Sequence, residues 1–199
     1  MFTVYGDLES GNCYKVYLLL KLLGIEHGWV RMDVVSAQTR TPEFLAKNPN
    51  GRVPLLEIEP GVHLAESGAI LAYLADGTPY FPSDRLLRAR VLQWMFFEQY
   101  SHEPYIATSR YYLHFLKDRE TYATELARRR QPGLAALGVM EGHLAHAPYF
   151  VGERLTIADI ALYAYTHVAH EGDFDLTPFP AIRAWLARIA NRDGFAPMR

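Results

Sequence analysis

Three short stretches carry residue types that could act together on a small polar ligand. Ser10, Gly11, Asn12 and Cys13 place a hydroxyl, an amide and a thiol side by side, just ahead of an apolar pattern at Val16, Leu19, Leu20 and Leu23. That spacing is helical, so the group lies at a helix start, with Asn12 as a cap. Arg52-Val53-Pro54-Leu55 opens a β-type run. Pro54 cannot donate to a sheet ladder, which leaves the backbone of Val53 for another partner; such a proline is also a candidate for the cis form, found at about 5–6% of X-Pro bonds. Glu66 and Ser67 precede Ile70, Leu71 and Leu74 and so stand at a second helix start. Unpaired N–H groups and a partial positive charge there favour a carboxylate, and Glu66 can accept from an ammonium. Val53 by backbone pairing, with Glu66 and Ser67 by charge, would hold a zwitterionic peptide. The same residues also suit a proline that ends a loop and a serine that caps a helix.

The elements that must position them alternate over the first eighty residues. Phe2 to Tyr5 reads as a strand, followed by a loop to Asn12 and a helix that Gly24 ends. Residues 27–34 give a second strand. Thr41 and Pro42 read as cap and first residue of a short helix over 43–47, broken by Asn48 and Pro49. Two strands from Val53 and Val62 then meet at the turn Glu59-Pro60-Gly61, before the helix near Ser67. The order β-α-β-α-β-β-α implies a small mixed sheet with helices on its faces.

Gly77, Pro79, Pro82 and Ser83 crowd a linker over 77–84, so the domains are read as 1–76 and 85–199. No strand-like run follows. Leu87, Val91, Trp94 and Met95 open a long helix that Pro104 bends or restarts, continuing to Phe115. A helical stretch over 121–145 is expected to break or kink at Pro132 and Gly133. Thr156 to Asp159 fits a capping box ahead of an apolar, buried helix to Val168, and a last helix from Pro180 carries Ile182, Trp185 and Ile189.

Composition narrows the function classes. Half of the 199 residues are hydrophobic and 21% are charged, as in ordinary globular proteins, and the net charge is −2. With a pI near 6.4 and no basic run beyond Arg128-Arg129-Arg130, nucleic acid is not an expected partner. No window reaches the ~18 apolar residues of a membrane span, and the N-terminus reads as a strand rather than a signal peptide. Cys13 is the single cysteine, which rules out an internal disulfide or a dithiol mechanism and points to the cytoplasm; packing is its expected role. The eight histidines show no ligand spacing, so no metal is expected.

Ser10-Gly11-Asn12-Cys13 at a helix start, Arg52-Val53-Pro54-Leu55, Glu66-Ser67-Gly68-Ala69-Ile70 and Thr156-Ile157-Ala158-Asp159, in this order, resemble a cytosolic glutathione S-transferase of a bacterial, serine-type, theta- or nu-like kind. The resemblance spans essentially the whole chain. It implies a thioredoxin-like N-terminal domain, an all-helical C-terminal domain, a homodimer, and glutathione held between the domains as co-substrate. It makes Val53 the backbone partner of the cysteinyl unit, exposed by a cis Pro54. Glu66 and Ser67 then meet the γ-glutamyl ammonium and carboxylate, and Arg52 the glycyl carboxylate.

For the catalytic group the resemblance favours Ser10, donating to the glutathione sulfur so that the thiolate forms below the usual thiol pKa of about 8.5. Asn12 and Tyr5 remain alternatives. The thiolate would attack a small hydrophobic electrophile, with peroxidase, isomerase or dehalogenase chemistry also open. Trp94, Phe97, Tyr105 and Arg110 are candidate walls for the electrophile, with Glu98, His102 and Glu103 as polar residues facing the cleft or a dimer partner. The alternative of another class is a non-catalytic glutathione-binding protein on the same scaffold.

Overall fold

A computed structural model describes residues 1–33 and 35–198, and packing divides the chain into two units, Met1–Asp76 with the tail Arg192–Arg199, and Gly77–Asn191. In the first unit, β1 (Phe2–Gly6), β2 (His27–Arg31), β3 (Leu55–Glu59) and β4 (Val62–Ala65) form one sheet in the order β2-β1-β3-β4. β1 runs parallel to β2, while β3 is antiparallel to both β1 and β4. The sequence carries the second strand to Val34, which lies outside the described residues.

Register sorts the side chains onto two faces. Val4 pairs with Leu56, and both are fully buried on the face that α1 (Gly11–Leu22) and α3 (Ser67–Ala75) cover. Tyr5 pairs with Leu55 on the other face, where Met32 and Phe44 close a small core. Phe44 is delivered by α2 (Pro42–Leu45), whose start is the expected one: the Thr41 hydroxyl accepts from Phe44 N–H (3.3 Å), and Pro42 fills the first turn. Cys13 to Leu20 are buried without a break, so α1 is wrapped on every side.

The same register fixes the place of the candidate residues. Tyr5 opposite Leu55, and Leu55 opposite Ala65, bring the end of β1, the start of β3 and the end of β4 to one edge of the sheet. The loop holding Ser10, the Val53-Pro54 pair and Glu66 with Ser67 leave the strands at that edge.

Every regular element of the second unit among the described residues is a helix. α4 (Arg85–Phe97) starts under Asp84, whose Oδ1 accepts from the N–H groups of Leu86 and Leu87 (3.0 and 2.9 Å). Pro104 does restart the helix, by way of a wide π turn at Glu98–His102 that leads into α5 (Glu103–Arg110). There the N–H of Glu103 reaches back five residues to the carbonyl of Glu98, which frees the turn from the bond Pro104 cannot make. A second π turn covers Tyr111–Phe115.

Of the break or kink expected near Pro132, the break does not occur: α6 (Ala123–Leu144) passes through it. Gly133 sits against the Phe174 ring, where an added Cβ would lie 2.4 Å from it, so close packing rather than a break explains this glycine. α7 (Ile157–Thr166) is buried along its whole length, and α8 (Pro180–Ala190) packs Ile182, Trp185 and Ile189 inward. Glu141 of α6 supplies the cap of α8, accepting from Ala181 and Ile182 (both 2.9 Å). The sequence reading gave residues up to 199 to the helical half; the structure returns the tail to the first unit, where Tyr14 donates to the Ala196 carbonyl (2.8 Å).

Candidate functional site

Pro54 is cis after Val53, as the sequence expects. The loop before it is held from below by Asn48, which is 4% exposed: its Nδ2 donates to the Arg52 carbonyl (2.8 Å) and its Oδ1 accepts from Asn50 N–H (3.1 Å). Gly51 has φ +61°, and a Cβ there would lie 2.6 Å from the Arg40 guanidinium and 2.9 Å from the Thr39 carbonyl, so only glycine fits. Arg52 itself is exposed. Asn48, which the sequence reads as a helix breaker, is thus an anchor of this loop, a role that only its burial reveals.

At the start of α3, Glu66 holds φ +68° and ψ 116°, a backbone conformation costly for a residue with a Cβ. Its side chain is exposed and caps nothing, while its carbonyl accepts from Ile70 N–H (2.9 Å). Ser67 follows as the first helical residue and is buried. Its hydroxyl reaches Asn12 Oδ1 at 3.2 Å, joining two stretches 55 residues apart.

The start of α1 differs from its expected form. Ser10, not Asn12, is the cap residue, with extended backbone, and Asn12 lies inside the first turn. The Ser10 side chain bonds Cys13, which is fully buried. Burial pushes the Cys13 thiol up to about 12, outweighing the Ser10 contact, so Cys13 is a packing residue and not a nucleophile. In the native protein a disulfide reagent at mildly alkaline pH should leave Cys13 untouched and modify it only after unfolding; rapid reaction of the folded chain contradicts this. Asn12 Oδ1 also accepts from Lys15 Nζ (2.7 Å).

Tyr5 is engaged on the other face of the sheet. Its hydroxyl donates to Glu57 Oε2 (2.9 Å) and accepts from Lys47 Nζ (2.8 Å), while its ring packs edge-on to Phe44. The Gly61 N–H and then the Tyr5 hydroxyl hold Glu57 below the usual carboxylate range. A hydroxyl with both roles taken is a poor candidate for thiol activation.

In the helical unit, Trp94 packs among Phe97, His143 and Phe150, with ring centroids 5.3, 4.9 and 4.6 Å away. Arg110 is 3% exposed, and its Nε is paired with Glu171 while the guanidinium lies over Phe115. Both residues hold this unit together. Glu98 and His102, read from sequence as cleft or interface residues, are buried at 1% and 0% exposure; His102 Nε2 meets Thr166 Oγ1 (3.0 Å), whose own proton goes to the Leu162 carbonyl. Phe97 and Tyr105 remain half-buried.

The family model for the glutathione S-transferase N-terminal domain matches residues 1–76, and that for the C-terminal domain matches residues 93–193. The chain belongs to the glutathione S-transferase family. Its fold is the family's thioredoxin-like domain followed by an all-helical one. Among solved structures, a glutathione S-transferase from Pseudomonas fluorescens Pf-5 is 52% identical, with a TM-score of 0.97 over 99% of this chain and 98% of that one. Ure2p solved in complex with glutathione is 27% identical, with a TM-score of 0.84 over 97% of this chain and 90% of that one. The disulfide-bond oxidoreductase YfcG of Escherichia coli K12 is 30% identical over 188 residues, 91% of this chain and 86% of its own length.

Proposed function

We propose that the protein is a glutathione transferase that binds glutathione at the β1, β3 and β4 edge of the first unit and stabilises its thiolate for attack on a small hydrophobic electrophile. The observation that carries this reading is the Ser67–Asn12 hydrogen bond, which brings the carboxylate-favouring start of α3 to the donor-bearing start of α1. Val53 then pairs with the peptide backbone, Glu66 takes the ammonium, Ser67 and the α3 N–H groups take the γ-glutamyl carboxylate, and exposed Arg52 takes the glycyl one. Ser10, Asn12 and the positive end of α1 face the sulfur and favour its ionised form. Sulfur forms the new bond to the electrophilic carbon, and the leaving group departs with its electron pair.

For the electrophile, half-buried Trp94, Phe97 and Tyr105 are retained from the helical unit, whereas Arg110, buried and paired with Glu171, is not. Exposed Phe96 and Tyr100, four residues apart and 68% and 85% accessible, support a homodimer. A second reaction class, glutathione-dependent reduction of disulfides, is suggested by the 30% identity to the disulfide-bond oxidoreductase YfcG; with the single thiol Cys13 buried, it would run on glutathione sulfur alone.

The test is a titration of thiolate absorbance against pH for bound glutathione in the wild type, Ser10→Ala and Asn12→Ala. Ionisation well below the free thiol, lost in part in each variant, supports transfer chemistry. Binding without a shift in the wild type overturns it and leaves the non-catalytic binding protein.

A further inference from the structure

Lys15 is 1% exposed, near the positive end of α1, a costly place for an ammonium and one where the helix dipole does not help. Its Nζ lies 2.7 Å from Asn12 Oδ1. An ammonium only donates, so it is the oxygen of the Asn12 amide that faces Lys15. Ser67 alone would not fix that amide, because a hydroxyl can donate to the oxygen or accept from the nitrogen equally well. Lys15 removes the ambiguity.

We propose that Lys15 is a positioning residue for the thiolate site, holding Asn12 so that Nδ2 rather than Oδ1 is offered to the glutathione sulfur, with a positive charge behind it. The inference rests on the thiolate-stabilising reading above. The two ends of the amide have opposite effects: an N–H pointing at sulfur favours the thiolate, and a carbonyl oxygen in the same place repels it. The Lys15 charge is felt in this neighbourhood, since it acts to lower the pKa of the adjacent Cys13 thiol against the effect of burial.

Lys15→Met keeps the volume and removes both the donor and the charge, and Lys15→Gln keeps a hydrogen-bonding amide that can turn either way. In each, the pKa of bound glutathione is expected to rise by about one unit, a tenfold smaller thiolate fraction at a pH below both values. With an aryl halide as electrophile, kcat/KM falls about tenfold at pH values below the wild-type pKa and recovers toward the wild type at alkaline pH, where the thiol ionises unaided. Lys15→Met added to Asn12→Ala costs less than Lys15→Met alone, because only the effect of the charge then remains to be lost. A normal thiol pKa in both Lys15 variants overturns the proposal while leaving the transferase reading in place, and so does a loss of activity that is equal at all pH values, as expected of a structural role. A wild type that does not lower the glutathione pKa overturns the transferase reading itself, and Lys15 then has no thiolate to serve.

Discussion

Asp159→Ala should destabilise the helical unit by roughly 3–5 kcal/mol and lower its melting temperature by roughly 10 °C, without touching a residue of the glutathione site. The carboxylate is fully buried and takes four donated bonds. Oδ2 accepts from the Thr156 N–H (2.9 Å) and hydroxyl (3.0 Å), and Oδ1 from Phe150 N–H (3.0 Å) and the Trp185 indole (3.1 Å). One side chain therefore ties the start of α7 to the preceding loop and to α8. Burial pushes its pKa up, and the donors from Phe150, Thr156 and Trp185 oppose that rise. Truncation leaves the donors without an acceptor in a dry interior, where each unsatisfied group costs about 1–3 kcal/mol. Asp159→Asn has the same shape but one acceptor oxygen, so it should fall about halfway between. A chemical denaturation series that puts Asp159→Ala within about 1 kcal/mol of the wild type would refute this account.

Thr156 and Asp159 were readable as a capping box because both halves of that exchange lie within four residues. The extra bonds to Phe150 and Trp185 were not, since they depend on how a loop and a helix 9 and 26 residues away pack. The same division runs through the rest of the chain. Periodicity places α1, α3 and α8, and the Thr41-Pro42 start of α2, because each depends on neighbours within a turn or two. Pro132 misleads for the opposite reason: local chemistry argues for a break, and packing of Gly133 against Phe174 carries α6 through.

At the candidate site, Val53-Pro54 and Glu66-Ser67 were legible as motifs, while their meeting required the strand register. Tyr5 shows the limit of position without orientation. It lies in the strand where a catalytic hydroxyl was a possibility, yet alternation turns it to the Glu57 and Lys47 face. Asn48 and Lys15 were invisible because a polar residue in a loop or a lysine on a helix is ordinarily solvated, and only burial marks these two as different.

Glu66→Gly should move stability and binding in opposite directions. At φ +68° the backbone of Glu66 is strained, and this costs on the order of 1–3 kcal/mol unless glycine occupies the position. The side chain returns nothing to the fold: it is exposed and makes no cap bond at the start of α3. Glycine relieves the strain at some entropic cost, so the unliganded protein should gain up to about 1 kcal/mol in thermal or urea unfolding. The carboxylate that would meet the ligand ammonium is lost as well, and a hydrogen bond to a charged group contributes about 1.5–3 kcal/mol. Glutathione affinity measured by calorimetry should therefore fall by roughly 10- to 100-fold, with Glu66→Gln in between and unchanged in stability. A Glu66→Gly protein that binds glutathione as the wild type does would remove Glu66 from the site. The strained backbone would then be without a functional reason, because nothing in the packing of α3 requires a glutamate there.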